Sequence, residues 1–349
     1  LLCIPFVIWL SLTGAVYLFS PQIDALIDRP YAHVANGTER RPASAIAEAA
    51  VAAEPGSALR AYQLPAFSDS AVKVEVSRGE RLTWLYVRPD TLQVVHRIDE
   101  DDRLMRQVFR LHGELLMGDR GSNLVELAAC WAIVMLITGL CLWWPRSATG
   151  LAGVAWPRVG GGSRQTLRDL HAVTGFWVSL LALFLLLTGL PWAKNWGGYL
   201  KQVRALAGAT QPMDWTTGRR DELARRRAAD SETRAAQAAG GEHAGHDMGG
   251  MDMAGMDMAG MDMSGMEAGP PASPYAALDP AVATMARQAL PPPVLISPPT
   301  RPGGAWTGRS DTPNRPQRVV LTLDPDTGAV LKRSGFADKH WIDQAVAVG

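Results

Sequence analysis

Hydrophobic positions fall into three unbroken blocks, separated and followed by stretches of shorter period. LLCIPFVIWLSLTGAVYLF opens the chain, LVELAACWAIVMLITGLCLWW covers 124–144, and AVTGFWVSLLALFLLLTGLPW covers 172–192. Each is near the ~20 residues that a helix needs to cross the hydrocarbon layer, and Glu126 is the one charge inside them. The pattern predicts spans at 1–20, 123–144 and 169–192, with a loop at 145–168. Between and after the spans the period changes. In 21–122, SAIAEAAVAA has helical character, and LRAYQLP, AVKVEVS and RLTWLYVRP alternate like strands. In 193–349, LDPAVATMARQAL is helical and QRVVLTLDPDTGAVLKR is a hairpin with turn residues at its centre. Helix followed by strands thus occurs twice, and both hairpins pass through Pro-Asp-Thr, at 89–91 and 325–327.

The expected architecture is a membrane α-helical bundle bearing two small α+β domains. Repetition of span, outside domain, span predicts a fourth span beyond Gly349, with DKHWIDQAVAVG as its approach. The first block has no basic region before it and no initiating methionine, so the chain reads as clipped rather than as starting with a secretory signal. Thr-Gly recurs at 13–14, 138–139 and 188–189, near the end of each block, and its expected role is close helix packing.

Charge sets the orientation. The loop after the second span carries Arg146, Arg158, Arg164 and Arg168 against Asp169, and short arginine-rich loops stay in the cytoplasm. The two α+β segments then lie on the outer side, in the periplasm of a bacterial inner membrane. A net charge of zero averages over segments in different solvents and points to no partner. Cys3, Cys130 and Cys141 lie in or at the spans and read as small apolar residues.

Two histidines flank spans: His112 in RLHGELLMGDRG, before the second, and His171 in LRDLHAVTGFW, at the opening of the third. About 30 Å of hydrocarbon separates their levels, so they cannot share one iron. A neutral imidazole at a membrane face suits b-type haem; equally, it suits an interfacial side chain hydrogen-bonded to backbone or headgroup. LHAVTG, the LHG at 111–113 and ITGLCLWWPR ending the second span, together with outside domains of helix plus hairpin, resemble the PepSY-associated transmembrane family. The resemblance implies an iron-regulated inner-membrane protein, similar to haem-bearing reductases of ferric siderophores. It makes His112 and His171 haem ligands, with two b-type haems in the complete protein and partner histidines from beyond both ends of this chain. Reduction of iron(III) would loosen a hard-oxygen chelate, the electron donor being unidentified. No catalytic triad or nucleotide motif is present, and nucleic acid is not an expected partner.

Residues 240–272 form a low-complexity insert, HAGHDMGGMDMAGMDMAGMDMSGM at its centre, holding eight of thirteen methionines. His243, His246, Met248, Met251, Met253, Met256, Met258, Met261, Met263 and Met266 make it a candidate copper site: thioether suits copper(I), and histidine with aspartate suits copper(II). A spacer or a sacrificial oxidant sink is the plainer account. Three functions follow: a haem reductase of ferric siderophores, a copper-binding or cupric-reducing protein, and a membrane-anchored interaction module without redox chemistry. Trp143, Trp144, Trp192 and Trp196 read as an aromatic belt. Glu126 reads as a snorkelling acid, His340 as a surface residue, and GRRDELARRRAADSETRAAQ as a solvated helix.

Overall fold

The computed structural model describes residues 4–34, 37, 39–144, 150–158, 162–207, 217–243, 273–301, 303–341 and 343–344. It divides into two compact units: a helical one from 1–20, 107–222 and 340–349, and a sheet-bearing one from 21–106 and 223–339.

The helical unit contains α1 (Ile4–Leu18), the C-terminal part of α4 (Leu104–Glu114), α5 (Asp119–Trp143), α6 (Ser163–Gly189) and α7 (Lys194–Leu206). Helix α5, and α6 with the 3-10 turn that follows it, are long and apolar enough to cross a membrane. Helix α1 reaches that length only together with the segment Ser20–Tyr31, from which it is bent by 54°. The helices overrun the apolar blocks: α5 starts at Asp119 and α6 at Ser163, so each begins with a polar first turn ahead of its lipid-compatible stretch. Glu126 therefore sits two turns inside α5.

The second unit is built on one eight-stranded antiparallel sheet. Its strands are β1 (Ala58–Gln63), β2 (Val72–Arg78), β3 (Arg81–Val87), β4 (Val94–Asp99), β5 (Val294–Ser297), β6 (Trp306–Ser310), β7 (Val320–Leu323) and β8 (Val330–Ser334), in the order β4-β3-β2-β1-β5-β6-β7-β8. The two expected α+β domains are thus two halves of one sheet, joined where Tyr62 pairs with Ile296 and Gln63 with Leu295. Each half has its helix, α3 (Ala43–Ala53) or α9 (Leu278–Arg287), and both pack into a single core. Ile46, Ala47 and Ala50 of α3 and Leu278, Ala281 and Met285 of α9 lie over Leu59, Tyr62, Val74, Leu85, Ile296 and Leu321. Alanine on α3 brings that helix close to the sheet. Gly308 of β6 does the same for α9, since a Cβ there would overlap the Met285 sulfur. Asp279 ties the halves: its carboxylate accepts from the Ser44 N–H at 3.0 Å and the Ser44 hydroxyl at 2.7 Å, capping α3, whose own N-cap Pro42 has no side chain to do so.

The opposite sheet face carries charge, because Val72, Val74 and Val76 point into the core and alternation turns Lys73, Glu75 and Ser77 the other way. Tyr86 donates to Asp28 at 2.6 Å, Lys73 pairs with the same carboxylate, and the Trp84 indole donates to Glu100 at 2.8 Å. Helix α8 (Arg219–His243), expected to be solvated, is docked instead. Arg226 binds Asp101, Asp230 accepts from Ser77 at 2.7 Å and from the Gly79 N–H at 2.9 Å, and Thr233 is buried. Its charges read as solvent-facing in sequence because their partners are distant hairpin atoms.

Replacing Asp279 by Ala should cost about 1–2 kcal/mol, seen as a lower unfolding temperature and faster amide exchange in the first turn of α3; unchanged exchange there would contradict the capping role. Burial, with Glu100 nearby, pushes Glu75 up to about 7 against the opposing Arg60, Arg309 and Arg226. A carboxylate raised in the fold contributes stability below its unfolded value near 4.5 and loses it as pH rises to about 7. Glu75→Gln should therefore gain on wild type between pH 5 and pH 8 by on the order of 1–3 kcal/mol in thermal or denaturant unfolding. A difference that does not grow with pH would refute it.

Candidate functional site

His112 lies on α4, an amphipathic helix placed side by side with α1. Tyr17 and Phe109 meet at 5.7 Å between ring centroids, and one turn further along, the His112 ring sits against Thr13 and Gly14. A Cβ on Gly14 would come within 3.3 Å of His112 Cε1, so glycine leaves the space that the imidazole occupies. The Thr13 hydroxyl donates to the Trp9 carbonyl at 2.8 Å, which leaves its oxygen to accept from His112 Nδ1 at 2.9 Å. That arrangement matches the tautomer with its proton on Nδ1. Burial pushes the imidazole below its ordinary value, with the Leu10 carbonyl opposing, so the ring is neutral near pH 7.

Two features hold α4 at this angle. Arg110 and Glu114 pair at 2.7 Å along its last turn. Leu115 and Leu116 then take φ of 50° and 56°, and Gly118 one of 61°, reversing the chain into α5. Gly121, in the first turn of α5, has no room for a side chain against the Glu114 carbonyl.

His171 is exposed on α6, two residues after Asp169, which is almost fully buried. Arg158 grips Asp169 through two 2.7 Å bonds, folding the loop segment 150–158 back on α6, and the Trp177 indole adds a 2.9 Å bond to the Ala155 carbonyl. Trp143 and Trp144, at the C-terminal end of α5, meet Phe176 at 6.2 and 6.3 Å. His171, five residues earlier on α6, belongs to that end, and His112 precedes the other end of a helix that is about 37 Å long at 1.5 Å per residue. The two histidines are not brought together. His340 is half-buried rather than a surface residue, its ring 5.8 Å from that of Trp341.

The family model described as PepSY-associated TM region matches residues 1–261. The chain belongs to this family. The match takes in α1 through α8 and stops before α9, so the second helix-and-hairpin half lies outside it. No curated protein matches the chain. Membership, with the membrane-length α5 and α6, makes this a PepSY-associated membrane protein.

Of the other sequence candidates, His246, Met248, Met251, Met253, Met256, Met258, Met261, Met263 and Met266 lie outside the described residues, and only the backbone of His243, the last residue of α8, is described. Among the described residues, no group of three or more His, Cys, Asp or Glu is placed to hold a metal ion. Thr13 and Gly14 are the pair in contact with His112, which the sequence left undistinguished. All three Thr-Gly threonines bond back to a carbonyl four residues earlier. Gly14 alone of the three glycines has a neighbour among the described residues, so packing is seen at the first pair only.

Glu126 does not snorkel in this family member. It is buried, and its carboxylate accepts from the backbone N–H groups of Asn195 and Trp196, each at 2.9 Å, and from the Asn195 side chain at 3.0 Å. Ala193, the N-cap of α7, offers no side-chain acceptor, so a carboxylate from α5 caps α7 in its place. Glu126→Ala should speed amide exchange at Asn195 and Trp196 about tenfold or more, the equivalent of 1.4 kcal/mol or above, with Glu126→Gln losing less. Equal exchange in wild type and Glu126→Ala would rule the cap out.

Proposed function

We propose that this PepSY-associated membrane protein moves single electrons across a bacterial inner membrane to a metal substrate on the outer side, a ferric siderophore. In this reading α1, α5 and α6 are three spans, the arginine-bearing loop faces the cytoplasm, and the sheet-bearing unit is periplasmic. The observation that carries it is the seat of His112: a neutral imidazole, desolvated, with Nδ1 tied to Thr13 and Gly14 cleared for its ring.

With that arrangement His112 would be suited to hold the iron of a b-type haem. Metal-ligating histidines characteristically donate their other ring N–H to a fixed acceptor, which sets the tautomer and the ring plane. Thr13 Oγ1 is such an acceptor, and Trp9 takes its proton so that it cannot compete as a donor. His171, exposed on α6 at the other end of α5, would hold a second haem, with Asp169 and Arg158 fixing the helix turn beside it. A bound haem would supply a one-electron carrier there. The chain's own residues supply placement at two levels, and the partial burial of His112 disfavours charge on the ligand. A cupric substrate is the second reading, favoured by the three Met-x-Met repeats at 251–263, whose soft sulfur donors would present copper(I).

In a full-length protein expressed with added haem, the reduced-minus-oxidised spectrum should show a b-type band. His112→Ala and His171→Ala should each remove about half of it, as expected for one of two sites. Thr13→Val should keep the band and shift its midpoint potential, as expected when the ligand's acceptor is removed. A colourless protein, or a band untouched by both histidine variants, would end the proposal. Deleting 244–266 should abolish copper(I) binding while leaving the haem band, and retained binding would reduce that segment to a spacer.

A further inference from the structure

The electron-transfer reading leaves one face of α7 without a role. Trp196, Tyr199, Val203 and Leu206 are 48, 60, 53 and 89% exposed. At 100° per residue they fall within an arc of about 80°. The neighbouring arc is buried in protein: a Cβ on Gly197 would lie 2.6 Å from the Pro191 carbonyl oxygen, and Arg204 pairs with Asp343 at 2.6 Å. The third arc holds Gly198, Gln202 and Ala205. One helix thus presents a protein side, a side of small residues with Gln202, and an apolar side.

We propose that α7 lies in the plane of the membrane interface, with Trp196, Tyr199, Val203 and Leu206 seated at the boundary of headgroups and acyl chains. The occupant of the stripe is the bilayer that α5 and α6 enter, and position argues for it. Helix α6 ends at Gly189, one 3-10 turn of Leu190–Trp192 follows, and Glu126 of α5 holds the first N–H groups of α7. The stripe therefore begins where the spans end. It continues an apolar surface already facing lipid at those ends, formed by Leu124 and Leu127 of α5 and Leu187 of α6, all exposed. Composition agrees, with the aromatic residues nearest the spans and the aliphatic ones beyond, as in interfacial amphipathic helices. Lys194 and Lys201 are engaged by Asp119 at 3.5 Å and Asp221 at 2.9 Å, away from the stripe, so apolar insertion rather than attraction to anionic headgroups drives the contact.

The inference rests on the membrane placement of α5 and α6 and is independent of haem. Its test is spin-label depth in the full-length protein, reconstituted in phosphatidylcholine nanodiscs on a background of Cys3→Ala, Cys130→Ala and Cys141→Ala. Nitroxides at Tyr199→Cys, Val203→Cys and Leu206→Cys should be relaxed by oxygen far more than by a water-soluble nickel chelate. Labels at Gly198→Cys, Gln202→Cys and Ala205→Cys should show the reverse. Nickel access at 199, 203 and 206 equal to that at 202 would place the stripe in water and overturn the proposal. Exclusion of both reagents would show a protein cover, from a second copy or another segment, and overturn it equally.

Discussion

Hydrocarbon offers no hydrogen bonds, so every polar group near the spans must be satisfied from within the protein, and the helical unit is arranged around that constraint. Thr13, Thr138 and Thr188 return their hydroxyls to carbonyls four residues back. Glu126 meets the constraint at longer range, by taking the N–H groups of another helix. The bond satisfies two needs at once, since the start of α7 has unpaired donors and no capping side chain of its own. A helix N-terminus also carries partial positive charge, which favours the carboxylate placed against it. An acid that looked like a liability in the second span is thereby what positions α7.

The sheet-bearing unit meets a different constraint. Each half, one helix on four short strands, has edges that would template pairing with another chain. Pairing β1 with β5 removes two of those edges and gives α3 and α9 a common core. The bond from Asp279 to Ser44 then makes the first turn of one helix the cap of the other. On the reverse face, Asp28, Lys73 and Tyr86 form a compact polar cluster, with the Tyr31 and His96 rings stacked at 4.8 Å beside it. The burial that raises Glu75 belongs to that same face.

What the sequence disclosed were features of local period. The apolar blocks, the helices at 43–53 and 278–287, strands β1 to β3 and the β7–β8 hairpin all follow from spacing and turn residues within ten or so positions. Strand β4 was implied as the far arm of the hairpin through Pro-Asp-Thr at 89–91, whereas β5 and β6 were not, because VLIS and WTGRS are only four and five residues long and give too few positions to show a period. The merger of the halves was invisible because it is a pairing between residues more than 230 positions apart. Helix α8 was misjudged for the same reason: Arg226 and Asp230 have the composition of a solvated face, and only the fold supplies Asp101, Ser77 and Gly79. At the candidate site, the histidine was legible as a residue type beside a span. Its seat was not, since Thr13 and Gly14 resemble two other Thr-Gly pairs and only tertiary contact separates them.

His112 and Glu126 are opposite solutions to the cost of a titratable side chain near lipid. Glu126 is surrounded by donors, three N–H groups converging on two oxygens. His112 is held by Thr13 at Nδ1 and by the Leu10 carbonyl, and burial works against charge on the ring. An imidazole whose ring is held in one orientation would be suited to hold a metal group, because its donor direction is fixed in advance. Placing it on amphipathic α4 rather than on a span follows from the same economy: α1 covers one side of the ring, and the sharp turn at Leu115–Gly118 lets α4 lie along α1 before the chain enters α5. An imidazole on α5 itself would need a partner helix to supply both the cover and the acceptor that Thr13 provides here.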